Sequence, residues 1–289
     1  MPAPSQPAQP SDTTIKLWRM DHLEKLELLR ATHLKQVFPK HTHERYAVGV
    51  IERGALGFFY RGENVVAASG DINLCIPGEM HTGGPLAEDG WTYRMFYIEP
   101  TVLTRIASEM AGKSRELPFF QLGTICDYQL AHKLRNVHTY LEQHQAQDGA
   151  ATSLEQETHF TNLLGELICR YSDDPPHEVM AGSEPRAVQD VKTYLEQHYA
   201  EDVSLADLAN LTQLSRYHLL RVFASRTGVP PHAYLRQVRL RRAKDLLSAG
   251  CSIAEVAVST GFNDQSHFTR WLKRLWGVTP GQYQRDTKQ

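Results

Sequence analysis

The sequence predicts an α+β protein in which a β-rich N-terminal domain precedes an all-helical C-terminal domain. Short runs rich in Val, Ile, Phe and Tyr, broken by Gly-containing turns, fill residues 15–98. From Thr101 onward, apolar residues recur at three- and four-residue steps, which is the helical period. Charge divides the chain as well. Residues 186–289 hold 15 Lys and Arg against 9 Asp and Glu, a net of +6, whereas the remainder carries a net of −8.

Length and composition exclude several classes of protein. A chain of 289 residues can form two domains, each with its own core. No apolar run reaches the roughly 18 residues that a membrane span needs. Residues 1–14 are rich in Pro, Gln and Ser and lack the basic and apolar parts of a signal peptide, so they predict a disordered tail. Four widely spaced cysteines without a CxxC pair argue against a structural zinc site or a disulfide framework and favour a cytoplasmic protein.

The N-terminal region predicts a sandwich or a small barrel, because many short strands follow one another at close spacing. The strand candidates are Leu26–Phe38, Tyr46–Ile51, Leu56–Tyr60, Asn64–Ala67, Ile72–Ile76 and Thr92–Ile98. Small barrels commonly bind one ligand inside. We therefore expect a ligand-binding domain here.

Helices are predicted beyond the strands. Residues 125–145 and 154–171 each carry an apolar stripe that requires a packing partner. A polar stretch containing Pro and Gly, residues 173–185, has the composition of a linker. This places a separate C-terminal domain at residues 186–289.

An internal repeat organises the C-terminal domain. Ser204–Thr212 aligns with Ser252–Thr260 at an offset of 48, and His218–Phe223 aligns with His267–Leu272 at an offset of 49. Each copy begins with a Ser followed three residues later by an acidic residue, the pattern of a helix cap. A short helix, a turn and a basic second helix follow, which is the plan of a helix-turn-helix that places its second helix in the DNA major groove.

An alternative to DNA binding is two ordinary amphipathic helix pairs. A helical core would not require Arg221 and Arg270 at corresponding places in both copies, so the repeat favours DNA. The basic balance of residues 186–289 supports the same interpretation.

The second copy resembles a known family. It contains Gly261-Phe262, then Gln265-Ser266-His267-Phe268-Thr269-Arg270-x-x-Lys273 and Gly277-x-Thr279-Pro280. This segment is similar to the signature of AraC-type transcriptional regulators, and the resemblance covers roughly residues 185–285. Leu272 replaces a more usual Phe, and the first turn has Gln213-Leu214 without Gly.

The resemblance implies a non-enzymatic, sequence-specific regulator of double-stranded DNA. Helices in residues 111–172 would then form a homodimer contact, and RNA polymerase is a further partner that the family suggests. The helix His232–Ser248 is expected to separate the two reading helices by one turn of DNA, roughly 34 Å.

The two reading helices supply the candidate DNA-binding residues. They are Ser215, Arg216, Tyr217, His218, Leu220 and Arg221 in the first copy, and Gln265, Ser266, His267, Thr269 and Arg270 in the second. Gln and Arg can form paired hydrogen bonds with adenine and guanine edges. The family resemblance implies base contacts for most of these, whereas His218 and Thr269 could contact phosphate.

Two clusters in the N-terminal region resemble the motifs of the cupin barrel, the sensor domain of many AraC-type regulators, and indicate a cupin-like domain over residues 15–110. The clusters are His41-Thr42-His43-Glu44-Arg45-Tyr46 and Gly70-Asp71 leading to Pro77-Gly78-Glu79-Met80-His81. In metal-binding cupins an HxH pair, a Glu and a later His hold the metal. His41, His43 and His81 match that pattern.

The expected Glu ligand is missing. Glu44 follows His43 immediately, and Ala47 and Val48 stand near the place where the family has its carboxylate. Three histidines could still hold Zn or Fe, since imidazole suits both. The absence of the carboxylate favours an organic effector and no cofactor.

Arg94 suggests what that effector carries. In a strand over Trp91–Ile98 this arginine lies among apolar neighbours, where it needs a carboxylate partner. An amino acid or another carboxylate is therefore the expected effector, and Glu44, Tyr46, Tyr93 and Arg94 join the three histidines as candidate binding residues. An internal salt bridge of Arg94 with Glu44 or Glu79 is the alternative.

The sequence thus predicts a cytoplasmic one-component regulator in which a small molecule alters how a dimer presents its helix-turn-helix pairs. Two rivals stay open. One is a metal-dependent cupin enzyme, such as an oxygenase or isomerase, fused to a DNA-binding module. The other is a barrel that serves only for assembly.

Overall fold

The computed structural model describes residues 13–145, 153–177 and 184–287. Most of the predicted N-terminal tail lies outside the described residues. Contacts divide the chain into two compact units. The first contains the chain up to Arg105, Arg115–Thr139 and Leu167–Pro175, and the second contains Ile106–Ser114, Tyr140–Glu166 and the chain from Pro176 onward.

The first unit is built on two antiparallel sheets. Its strands are β1 Thr14–Met20, β2 Leu26–Leu34, β3 Phe38–His41, β4 Tyr46–Arg53, β5 Ala55–Tyr60, β6 Glu63–Ala68, β7 Ile72–Cys75, β8 His81–Pro85, β9 Trp91–Ile98 and β10 Thr124–Ile125. One sheet has the order β1-β2-β9-β4-β7-β10, and the other has the order β3-β8-β5-β6. The α+β class is confirmed.

Strand alternation explains the core of this unit. Ala47 and Ile51 of β4 and Tyr93 and Met95 of β9 fall on one face of the larger sheet and join a single buried cluster. The intervening residues of both strands occupy the opposite face, which is also buried. Because both faces are covered, β4 and β9 consist mostly of apolar residues.

The predicted strands are present with small changes. The predicted strand Leu26–Phe38 is two strands, since β2 ends at Leu34 after a bulge and β3 begins at Phe38. Three strands were not predicted, and one of them, β10, has only two residues. β1 is largely exposed and lacks a buried alternation, and β8, HTGGP, contains two glycines and a proline that disguise it.

Helices make up the rest of the described chain. They are α1 Pro100–Ala111, α2 Tyr128–Gln143, α3 Ser153–Tyr171, α4 Pro185–Gln197, α5 Leu205–Thr212, α6 Arg216–Thr227, α7 Pro231–Ser248, α8 Ile253–Ser259, α9 Gln265–Trp276 and α10 Pro280–Thr287. None in the described ranges is long and apolar enough to cross a membrane.

The internal repeat produces two helix-turn-helix pairs with the predicted caps. Ser204 and Asp207 form a capping box at α5, and Ser252 and Glu255 form one at α8. The turn after α5 places Gln213 in the left-handed region with φ of 56°, where the second copy uses Gly261 with φ of 75°. The first copy therefore makes its turn without glycine, at some conformational cost.

Each pair has its own apolar core. Leu208, Leu219 and Phe223 belong to the first core, and Val256, Phe268 and Leu272 belong to the second. The first core also takes in Leu154 of α3, which lies within the same compact unit. The sequence predicts one boundary between consecutive domains, at the linker of residues 173–185. The two compact units are not consecutive in the chain, because residues 106–114 and 140–166 group with the C-terminal helices.

Candidate DNA-binding surface and ligand cavity

The two reading helices begin in the same way. Ser215 caps α6 by accepting a hydrogen bond from the backbone N–H of His218 at 3.2 Å, and Asp264 caps α9 by accepting one from His267 at 2.6 Å. Gly228 and Gly277 close the two helices with φ of 75° and 77°. The repeated sequence therefore fixes the same start and end for both helices.

Helix α9 presents polar side chains to solvent. Gln265, Ser266 and Arg270 are exposed, and Thr269 is half-buried. Phe268 and Leu272 lie on the opposite face and are buried in the second core. The exposed residues carry the donors and acceptors that can recognise base edges in a major groove.

His267 does not belong to this exposed face, which corrects the prediction of an outward-facing side chain. Its ring packs edge-on against Phe262, and its Nε2 atom accepts a hydrogen bond from the indole of Trp271 at 2.8 Å. Burial lowers the pKa of His267 to about 4. His267 lies at the border of the exposed face of α9, and its contacts with Phe262 and Trp271 keep the ring partly buried.

The first reading helix, α6, differs at its beginning. Tyr217 and Leu220 are buried, and Leu220 is part of the first apolar core. The backbone N–H of Tyr217 donates to the carboxylate of Glu109 at 3.0 Å, and its ring lies so close to Gly165 that a Cβ there would be 2.5 Å away. The predicted base contacts of Tyr217 and Leu220 are therefore corrected, because neither side chain is presented to solvent.

The remaining candidates on α6 are partly buried. Ser215 is the cap described above, and Arg216, His218 and Arg221 have intermediate exposure. The Nε2 atom of His218 lies 3.7 Å from Glu184, and the Arg221 guanidinium lies 5.9 Å from the centre of the Tyr217 ring. The first helix thus offers less accessible polar surface than the second.

A cavity lies between the two sheets of the first unit and encloses about 90 Å³. Both sheets contribute to its walls. The lining residues are Phe38, His41, His43, Ala47, Leu56, Phe58, Asn73, Cys75, His81, Thr82, Gly83, Trp91, Tyr93, Met95 and Tyr97. The walls are mainly apolar and aromatic with a few polar groups, as expected for a small-molecule site.

The three predicted histidines meet in this cavity. Ring centres of His41 and His43 lie 4.4 and 4.8 Å from that of His81. Each Nδ1 atom is within hydrogen-bond distance of a backbone carbonyl: that of Pro39 at 2.8 Å, Arg45 at 2.6 Å and Glu79 at 2.9 Å respectively. When Nδ1 donates to these carbonyls, each neutral ring keeps an Nε2 lone pair.

The local environment favours the neutral form of two of these rings. Burial and the neighbouring His81 lower the pKa of His43, although the Arg45 carbonyl opposes the shift. Burial also lowers the pKa of His81, opposed by the Glu79 carbonyl. At neutral pH these imidazoles therefore act as hydrogen-bond acceptors or as metal ligands.

Arg94 lies on the face of β9 opposite Tyr93 and away from the cavity, which corrects its predicted effector role. Its Nε atom donates to Glu52 at 2.9 Å, and another guanidinium nitrogen lies 3.1 Å from Nδ1 of His138. The internal salt bridge is thus present, with Glu52 in place of the Glu44 or Glu79 considered from sequence. Glu52 lies eight residues after Glu44 in the sequence, and no local pattern indicated it as the partner of Arg94.

Two further candidates are also placed elsewhere. Glu44 is exposed and does not line the cavity. Tyr46 is buried on the other face of β4, where its hydroxyl donates to the carbonyl of Pro118. Tyr93, another of the candidate binding residues, does line the cavity.

Sequence reasoning missed several polar cavity residues. Asn73 and Cys75 alternate along β7, and Thr82 follows His81 on β8. The alternation of β7 could have indicated Asn73, since a polar residue in a buried strand is unusual. Nothing in the local sequence indicated Thr82.

Comparison with known proteins identifies both parts of the chain. Residues 208–286 match the family described as helix-turn-helix domain, and residues 25–164 match the family described as AraC-like ligand binding domain. An uncharacterised HTH-type transcriptional regulator of Bacillus subtilis, YbfI, is 34% identical over 245 residues, covering 84% of this chain and 85% of that protein.

Two further similarities extend this set. The HTH-type transcriptional activator RhaS of Escherichia coli is 24% identical over 84% of this chain and 86% of its own length. The solved DNA-binding domain of AdpA, a global transcriptional factor in complex with a target DNA, is 27% identical with a TM-score of 0.34 and covers 35% of this chain and 93% of its own. The extent of the match to YbfI, with the two family matches, establishes that this chain belongs to the AraC-type family of DNA-binding transcriptional regulators with an N-terminal ligand-binding domain.

Proposed function

We propose that this regulator responds to a compact organic effector that donates hydrogen bonds inside the cavity between its sheets, with a small amino acid as the first candidate. The observation that carries the proposal is the meeting of His41, His43 and His81 in one cavity with their Nδ1 atoms committed to backbone carbonyls. This arrangement leaves three acceptor nitrogens for a ligand.

The size of the cavity limits the effector. A volume of about 90 Å³ is well below the roughly 300–1,000 Å³ of pockets for drug-sized molecules. Only a molecule with few non-hydrogen atoms fits without rearrangement of the walls. The aromatic rings of Trp91 and Tyr93, stacked 5.7 Å apart, add apolar surface for its hydrocarbon part.

The hydrogen-bond acceptors of the cavity determine which functional group of the effector is recognised. An ammonium or hydroxyl group donates hydrogen bonds to neutral imidazole nitrogens, whereas a carboxylate requires protonated ones. Burial lowers the pKa of His43 and His81, and the Arg94 guanidinium is engaged by Glu52. We therefore expect recognition of an amino acid through its ammonium group, with the carboxylate secondary.

A bound metal ion at the same histidines is the second candidate, and one observation favours it. Metal-ligating histidines usually donate their other ring nitrogen to a carbonyl or carboxylate, as these three do. Against it, the family's carboxylate ligand is replaced by apolar residues. Nor do these histidines bring three candidate ligand atoms within 4.8 Å of one another, as one other group in the described residues does.

A melting experiment with small probes tests the effector proposal. Alanine, alaninamide and acetate are added to the purified full-length chain in the presence of a chelator. We expect alanine and alaninamide to raise the Tm and acetate to have little effect at neutral pH. Lowering the pH protonates His43 and His81, so the effect of alaninamide should fall and that of acetate should grow.

Matched variants complete this test. His43→Ala should abolish the stabilisation, and His132→Ala, an exposed histidine of α2, should leave it unchanged. The proposal fails if no amine or hydroxyl compound stabilises the wild type more than His43→Ala. Stoichiometric Zn or Fe in the purified chain, lost in His43→Ala, would instead support the metal candidate and reopen the enzyme alternative.

At the DNA, the exposed residues Gln265, Ser266 and Arg270 are proposed to contact base edges, and Thr269 to contact phosphate. Among the first-copy candidates, Arg216, His218 and Arg221 keep partial exposure and are proposed as DNA contacts of α6. A cytoplasmic homodimer is proposed from the family resemblance, and its mass in solution tests it. Contact with RNA polymerase stays a prediction.

A further inference from the structure

A second group of potential metal ligands lies in the other compact unit, far along the chain from the cavity histidines. Glu155 and His159 occupy positions i and i+4 of α3, so they share one helix face. His232 is the second residue of α7. In the described residues, these three side chains offer ligand atoms that all lie within 4.8 Å of one another.

The distances are close to those of a bound ion. The Nε2 atoms of His159 and His232 lie 3.8 and 3.9 Å from Oε1 of Glu155. Bonds of about 2.0–2.2 Å to a tetrahedral ion need ligand atoms a little over 3 Å apart. Modest side-chain rotation closes that gap. His159 is half-exposed, so an ion can reach the group from solvent.

The state of His232 points independently to a ligand. This side chain is only 8% exposed, and its Nδ1 atom has no hydrogen-bond partner among the described residues. Its Nε2 atom, 3.9 Å from Glu155, is too far for a hydrogen bond. A buried imidazole without partners is costly, and a bond from one ring nitrogen to a metal removes part of that cost.

The surroundings supply further features of a metal site. A cavity of about 20 Å³, lined in part by Glu155, His232 and His267, adjoins the group. That volume is sufficient for one water molecule as an additional ligand. Arg236 donates to Oε1 of Glu155 at 3.0 Å, which is the kind of partner that orients a ligating carboxylate.

Arg236 also limits the affinity. Its positive charge repels a cation and already balances the charge of Glu155. Two imidazoles and one carboxylate form the donor set of many zinc sites, whereas Mg²⁺ and Ca²⁺ prefer oxygen ligands. The group should therefore select a transition metal, with moderate affinity.

We propose that Glu155, His159 and His232 bind one divalent transition-metal ion of the Zn²⁺ type. Such an ion joins the start of α3 to the start of α7, the helix that runs between the two helix-turn-helix pairs. The site is separate from the cavity histidines and does not depend on the effector that they bind.

Cobalt and zinc binding by the full-length chain test this proposal. His43→Ala is used as the background, so that the cavity histidines do not contribute. Titration with Co²⁺ followed by visible absorption, and with Zn²⁺ followed by calorimetry, should show one site in this variant. Zn²⁺ should also raise its Tm.

Additional substitutions assign the ligands. Adding His159→Ala or Glu155→Gln should lower metal affinity at least tenfold and remove the Tm increase. Adding His198→Ala should change neither, because His198, the residue after the end of α4, is likewise paired with a glutamate, 3.0 Å from Glu201. If His159→Ala fails to fold, His159→Gln, which keeps much of the side-chain volume, takes its place. The proposal is overturned if the background variant binds no ion, or if binding persists when His159 is replaced.

Discussion

The two reading helices derive from one repeated sequence plan, yet they present different surfaces. Tyr217 and Leu220 of α6 correspond, at an offset of 49, to Ser266 and Thr269 of α9. The first two are buried, whereas Ser266 is exposed and Thr269 is half-buried. Both helices nevertheless begin at a capping side chain, Ser215 or Asp264, and end at a left-handed glycine.

The difference lies in what packs on each helix. Residues of α1 and α3 that belong to the same compact unit, Glu109 and Gly165, contact Tyr217 at the beginning of α6. At the beginning of α9, by contrast, Gln265 and Ser266 are exposed. A repeat therefore determines a local structure, while accessibility depends on partners that come from outside the repeat. Three experiments test this contrast, in order of decreasing expected effect.

The largest effect is expected from truncating the corresponding residues Leu220 and Thr269. Leu220→Ala leaves a cavity in the first core and should lower the free energy of unfolding by about 2–5 kcal/mol. Thr269→Ala should change it by less than about 0.5 kcal/mol, as partly exposed positions do. Urea unfolding followed by circular dichroism measures both. Similar losses for the two variants would mean that the two helices are buried alike.

The next effect is a pH dependence that arises from Glu157, whose carboxylate lies beside the first helix-turn-helix. Glu157 of α3 is 8% exposed and accepts a hydrogen bond from the backbone N–H of Leu205, at the start of α5. Burial raises the pKa of Glu157 to about 7, and the charge of Arg216 only partly opposes this. The ordinary pKa of 4.5 applies in the unfolded chain.

The sign follows from these two values. Below pH 4.5 both states are protonated and the full stabilisation is present. As the pH rises towards 7, the unfolded chain releases the Glu157 proton first, so the contribution of Glu157 to stability falls, by up to roughly 3 kcal/mol at about 1.4 kcal/mol per pH unit. Glu157→Gln should flatten this dependence. Glu166→Gln, on the same helix but partly exposed, should retain it, and a pH profile identical in wild type and Glu157→Gln would refute the assignment.

The smallest effect concerns DNA recognition by Arg270 and its counterpart Arg221. An operator is first selected from random DNA with the purified chain. Arg270→Ala should then cost about 1–3 kcal/mol of operator affinity and much less on unrelated DNA, because paired hydrogen bonds to guanine are lost. Arg221→Ala should cost less, since α6 is partly covered.

Two results would contradict this contrast between α6 and α9. Equal losses for Arg221→Ala and Arg270→Ala would show that DNA binding uncovers α6. Equal losses on operator and unrelated DNA would show that Arg270 contacts phosphate only, since phosphate contacts carry no sequence information.

Strand and helix patterns predicted most of the fold. Apolar runs over β4 and β9, helical spacing in α2 and α3, and the Ser–acid pairs at α5 and α8 all matched the structure. The three histidines also met in one cavity, because His41 ends β3, His43 lies in the segment that follows it, and β8 brings His81 opposite His41. Apart from this pairing of β3 with β8, these features depend on short stretches of chain.

The predictions were wrong where residues from other elements determine the contacts of a side chain. Arg94 was expected to meet an effector, but β4 supplies Glu52 and α2 supplies His138. His267 was expected to face DNA, but Phe262 and Trp271 hold it inward. The residue pattern of one strand or helix predicts the face on which a side chain lies. It does not predict which residue of another element the side chain contacts.

Sequence alone was sufficient for the family resemblance, the two copies of the helix-turn-helix, their helix caps and the choice of His41, His43 and His81, because each of these signals is a motif of residues a few positions apart. Tertiary contacts were required to show which reading helix is exposed, which carboxylate pairs with Arg94, and that Glu155 and His159 lie beside His232. Those outcomes rest on contacts between segments separated by forty or more residues. Burial and charge compensation in the folded chain determine these contacts, and the local periodicity of the sequence does not contain that information.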